Sequence, residues 1–108
     1  MAKIDLLQGT LDLLVLRVLA REEMHGWGIV DRLRQLSNDA LQLGEGTLYP
    51  ALYRMEAKGW IKAEWAQSDN NRKAKYYSLT AAGRKQLGIE QESWEQLAAV
   101  ITEVLQKA

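Results

Sequence analysis

The sequence predicts a mainly α-helical domain with one small β-hairpin, and three observations carry that prediction. Apolar residues recur at helical spacing within residues 11–19, 26–36 and 47–58. Residues 60–79 switch to alternation, in two runs separated by a polar, turn-prone stretch. From Thr80 onward the spacing is helical again, with Leu87, Trp94 and Ile101 seven residues apart.

Each element follows from its own residues. Thr10 is placed to cap a first helix, Leu11 to Leu19, which is apolar on more than one side. A second helix, 26–36, turns Ile29, Val30, Leu33 and Leu36 inward and Asp31, Arg32, Arg34 and Gln35 outward, and Ser37-Asn38-Asp39 breaks it. Leu41-Gln42-Leu43 alternates and is expected as a very short strand added to the hairpin. The third helix, 47–58, buries Leu48, Ala51, Leu52 and Met55 and displays Thr47, Tyr49, Tyr53 and Arg54. Pro50 fits near the start of that helix and Gly59 at its stop. In the hairpin, Ile61, Ala63 and Trp65 alternate with charged residues, and residues 74–79 form the return strand. The connecting loop, 67–73, ends in Arg72 and Lys73, with Lys75 close behind. Thr80 caps a last helix running towards Gln106.

A chain of 108 residues is one domain, large enough to bury a real core. With no cysteine, a disulfide framework and a thiolate metal site are excluded, which fits a reducing cytoplasm. No apolar run reaches transmembrane length, and Met1-Ala2-Lys3 leads into the fold rather than into a signal peptide, so a cytoplasmic protein without membrane association is expected. One histidine and no cysteine leave no general acid and base pair, so an enzyme is not expected, nor any metal or cofactor. Formal net charge is zero, but its distribution is uneven. Residues 60–88 carry six cations against two carboxylates, and residues 89–108 one cation against four carboxylates.

Helix, helix, helix, hairpin is the order of a winged helix-turn-helix, and a basic hairpin tip directly after a helix with exposed aromatics suggests a reader of double-stranded DNA. Residues 1–80 form the winged unit and 81–108 a dimerisation helix, one compact unit with the first helix. Leu87, Trp94 and Ile101, joined by Leu97, Ala98, Val104 and Leu105, make a coiled-coil-like seam that nothing in a three-helix core covers. A second copy is the simplest partner, with the over-apolar first helix, including Leu14, completing the interface.

These residues resemble the PadR family of bacterial transcriptional regulators, in particular its short subgroup with a single C-terminal dimerisation helix. The likeness spans nearly the whole chain. It rests on Leu7-Gln8-Gly9-Thr10-Leu11-Asp12, His25-Gly26-Trp27-Gly28-Ile29, Gly46-Thr47-Leu48-Tyr49-Pro50-Ala51-Leu52, Asn71-Arg72-Lys73-Ala74-Lys75-Tyr76-Tyr77 and Leu79-Thr80-Ala81-Ala82-Gly83. The resemblance implies a dimeric, ligand-responsive repressor that binds a palindromic operator and is released by a small aromatic effector. Some members of the family bind flat aromatic drugs between paired tryptophans at the dimer centre, and Ser93-Trp94 resembles that position. An effector pore is therefore expected between Trp94 and its symmetry mate, lined by Leu14 and Val15.

The expected DNA contacts are Thr47, Tyr49, Tyr53 and Arg54 on the helix and Asn71, Arg72, Lys73 and Lys75 on the wing. Each has a plainer reading. Tyr49 also suits shielding of the core edge, Arg54 also suits pairing within its own protein, near Glu56 or with Asp39, and a cationic hairpin tip also serves as edge protection. His25 orders the turn before the second helix or donates to a phosphate, Gly26 and Gly28 allow close helix packing, and Trp27 and Trp60 belong to the core. The alternative to a DNA regulator is a winged-helix module that docks another protein through its exposed tyrosines.

Overall fold

A computed structural model describes residues 7–67 and 70–108. Four helices and three short strands follow in the order α1 (Gln8–Arg21), β1 (Met24–His25), α2 (Gly26–Leu36), α3 (Glu45–Ala57), β2 (Ile61–Gln67), β3 (Lys73–Leu79) and α4 (Ala81–Lys107). This is a winged helix with a long terminal helix. Met1 to Leu6, and Ser68 and Asp69 in the wing loop, lie outside the described residues.

The core is one cluster. Leu11, Val15, Leu16, Val18 and Leu19 of α1 meet Ile29 and Leu33 of α2, Leu48, Ala51, Leu52 and Met55 of α3, Ile61, Tyr77 and Leu87. The α3 stripe read from the sequence is therefore the buried one. The α2 stripe shortens: Ile29 and Leu33 are buried, whereas Leu36, the last residue of the helix, is exposed where α2 outlasts the core. Two helix starts also move. α1 begins at Gln8 with Leu7 as its N-cap, so Thr10 sits inside the first turn. α3 begins at Glu45, which puts Pro50 two residues deeper than expected, one turn after the exposed Gly46 whose carbonyl its missing N–H cannot serve.

The three strands are antiparallel in the order β1-β3-β2. The hairpin is the expected one, but its third strand is Met24–His25, paired with Tyr76 and Tyr77, and not Leu41-Gln42-Leu43. The latter segment is held otherwise: the Leu41 N–H donates to Ser37 Oγ at 2.9 Å, after a turn in which Asn38 and Asp39 adopt positive φ, and Leu43 packs on the core.

The junction of β3 with α4 is a single residue. The Thr80 hydroxyl accepts the Gly83 N–H at 3.0 Å, capping α4 as expected, and donates to the Gly59 carbonyl at 2.6 Å. The Thr80 N–H donates to the Trp60 carbonyl at 3.1 Å. This fastens the start of α4 to the turn after α3, where Gly59 takes a φ of 79° that favours glycine. Gly83 then packs so closely that a Cβ on it would run into the Trp60 carbonyl.

Candidate nucleic-acid interface

α3 presents one face to the core and the opposite one to solvent, with Thr47, Tyr49, Pro50 and Tyr53 exposed along it. Tyr49 is both exposed and anchored. It lies against Gly26, where an added Cβ would come 2.5 Å from the Tyr49 hydroxyl oxygen, so the close packing expected of that glycine is what lets the ring settle over the start of α2. Tyr53, 78% exposed, has no such cover.

Arg54 leaves this face, which corrects its place among the outward residues. Its guanidinium donates to both carboxylate oxygens of Asp12 on α1, at 2.6 and 2.8 Å, a bidentate pair across the core edge. Asp12 is buried, and a buried carboxylate without a counter-charge is costly, so the fold recruits the nearest cation. The hydrogen bonds to Asp12 raise the Arg54 pKa above its ordinary value against the opposing effect of burial. The partner is neither Asp39, which pairs with Arg34 at 2.8 Å, nor a neighbour of Glu56.

Beyond the core the hairpin projects as a wing. Burial falls along β2 from Ile61 through half-buried Ala63 to Trp65, which is 69% exposed where alternation predicts an inward side chain. Strand register puts Trp65 opposite Lys75 and Gln67 opposite Lys73, so both lysines share the tryptophan's face. Lys75 is half-buried, with Nζ 3.6 Å from Glu56 on α3 and 5.8 Å from the centre of the Tyr77 ring. At the tip Asn71 adopts a φ of 63°, and its side-chain oxygen accepts a hydrogen bond from Gln67 Nε2 at 2.7 Å, which closes the turn.

Between wing, α3 and the start of α2 runs an open groove of about 720 Å³. Tyr49 and Tyr77 line it together with Trp27, Trp65, Arg72, Lys73 and Lys75, and among the described residues no carboxylate does. The Tyr77 hydroxyl has its pKa raised, first by burial and then by the nearby Glu56 and Tyr49. Trp27 is a second correction: expected in the core, it is 68% exposed. The helical wheel explains it, because Trp27 lies about 160° round the helix from Ile29 and about 120° from Leu33, both of which are buried. Trp60 does pack against the core, with Lys58 Nζ 4.7 Å above its ring. His25 orders the turn as expected: its Nδ1 accepts the Gly28 N–H at 3.0 Å and caps α2.

The distal half of α4 carries a second exposed surface, in which Trp94, Leu97, Val100, Ile101, Val104 and Leu105 are all open. Two residues expected at this interface lie elsewhere. Leu87 is buried in the chain's own core beneath the first turns of α4, and Val15 is fully buried on the inner side of α1, which removes it as the lining of any pore. Leu14 is half-buried. Among the described residues no helix is long and apolar enough to cross a membrane, and no three metal-ligating side chains cluster.

A family model described as the transcriptional regulator PadR-like family matches residues 15–89. A transcriptional regulator from Mycobacterium tuberculosis is 35% identical over 84 residues, covering 78% of this chain and 75% of its own. Among solved structures, a PadR family transcription regulator from Clostridium difficile is 33% identical with a TM-score of 0.76, covering 87% of this chain and 96% of its own. A PadR-like regulator from Bacillus cereus is 28% identical with a TM-score of 0.80, covering 94% and 96% respectively.

Proposed function

Because this chain belongs to the PadR-like family of transcriptional regulators, we propose that it is a cytoplasmic, ligand-responsive repressor that binds a palindromic operator as a homodimer. The observation that carries this reading is the surface shared by α3 and the wing, where exposed Thr47, Tyr49 and Tyr53 stand beside a groove lined, among the described residues, by three cations and no carboxylate. The helix enters the major groove with those three residues. Asn71, Arg72, Lys73 and Lys75 lie along the flanking phosphates. Arg54 takes no part, being held by Asp12.

The exposed apolar ridge of α4, Trp94 to Leu105, pairs with its copy and sets two α3 helices on one face for successive turns of the duplex. A flat aromatic effector sits between Trp94 and its mate, with Leu14 beside it. A planar aromatic ligand quenches tryptophan emission there, and quenching that survives Trp94→Ala places the ligand elsewhere.

The deciding experiment is a salt-titrated binding assay with the DNA upstream of the protein's own gene, against a scrambled duplex of equal length. Tight, selective binding is expected, with the log–log salt slope reduced by about two when Arg72 and Lys73 are both changed to Ala. An unchanged slope removes the wing from the contact surface. Equal, weak and salt-insensitive binding to both duplexes transfers the exposed tyrosines to a protein partner.

A further inference from the structure

We infer that the groove between the wing and the start of α2 seats the sugar–phosphate backbone of one DNA strand, with Trp27 and Trp65 as its two aromatic walls. This rests on the reading of the chain as a DNA-binding regulator and adds contacts that helix and wing cations do not supply. The two indoles come from separate elements, the first turn of α2 and the outer half of β2, yet both line the same groove and both are about two-thirds exposed. Large apolar side chains left in water on one concave surface mark an interaction site rather than a core.

The chemistry of the surroundings selects the occupant. An indole offers an N–H donor and no acceptor, together with a wide apolar face. Donor and face suit a phosphate oxygen and the deoxyribose next to it. Lys73 and Lys75 stand on the same sheet face as Trp65 and supply positive charge, that of Lys75 shared with Glu56 on α3, and among the described residues no carboxylate lines the groove. The Tyr49 ring, pressed onto Gly26, closes the inner end. The groove also joins the two elements placed on the duplex, α3 and the wing, so a backbone passing from one to the other crosses it.

The test uses the full chain with Trp27→Ala and Trp65→Ala, each changed at an exposed position, with the corresponding Phe variants as controls. Fluorescence anisotropy follows binding of labelled duplexes, the upstream sequence and its scrambled form, across a salt series. Each Ala variant is expected to lose about tenfold in affinity on both duplexes alike, because a backbone contact carries no sequence information. The salt slope stays at the wild-type value, since no charge is removed, and Phe restores part of the loss through its ring. Ala variants that bind both duplexes within about twofold of a wild type that does bind overturn the inference and leave the regulator reading standing. So does 8-anilinonaphthalene-1-sulfonate binding that Trp27→Ala abolishes while DNA affinity holds, which gives the groove to a small aromatic anion. A wild type that binds neither duplex overturns the regulator reading and this inference with it.

Discussion

At the scale of single residues, the pair of Arg54 and Asp12 shows how one buried carboxylate redirects a side chain that its own helix would display. Arg54→Ala leaves Asp12 buried without its partner and is expected to destabilise the fold by about 3 kcal/mol, measured by urea denaturation. Asp12→Ala on the same background should return much of that loss, because the uncompensated charge is gone; a double variant as unstable as the single one removes charge burial as the cause. The pairing joins residues 42 apart in sequence, and no helical or strand period relates such positions. Arg54 was legible as a cation on the edge of α3, but the carboxylate waiting for it on α1 was not. Trp27 was within reach of the sequence, since the wheel that puts Ile29 and Leu33 inward puts Trp27 outward. Aromatic bulk alone suggested a core position that the geometry of α2 refuses.

At the scale of elements, the long-period signals proved reliable and the short ones did not. The α3 stripe, the hairpin and the extent of α4 each repeat their pattern over several residues and were legible. A two-residue strand has no period to read, so β1 was hidden in Met24-His25, and the three alternating residues at 41–43 imitated it. Helix starts were the other weakness, because Gly44, Glu45 and Gly46 carry no apolar residue to mark the first turn of α3. Two glycines of α4 give a sharp test of the junction. Gly83→Ala drives a Cβ against the Trp60 carbonyl, which no side-chain rotation relieves, and is expected to cost about 3 kcal/mol. Gly88→Ala meets nothing within 4 Å and is expected to stabilise α4 by about 0.5–1 kcal/mol. Denaturation midpoints of the two variants should move in opposite directions, and equal shifts would show that α4 is not fastened at Gly83.

At the scale of the whole molecule, the chain measures 55 × 33 × 22 Å, and the long dimension fits α4, whose 27 residues extend beyond the core. Ile101→Glu puts a charge in the middle of the exposed ridge, far from the folded core. It is expected to leave the melting of the winged unit unchanged while sedimentation gives a monomer and affinity for the upstream duplex falls at least tenfold. A dimer that survives the charge assigns the pairing to another surface. The apolar seam was legible from its heptad spacing, but its inner boundary was not: Leu87 keeps the period and belongs to the core, because α4 serves the chain's own packing for its first two turns before it leaves. The single-residue joint at Thr80, stitched to Gly59 and Trp60, fastens the base of the wing to the near end of α4, a helix about 40 Å long. In any two-fold pairing through the far end of that helix, a change of about 5° in the crossing angle sweeps the wing through about 3.5 Å, close to the rise of one base pair. The angle between two helices thus acts as a vernier on half-site spacing, graduated in base-pair steps.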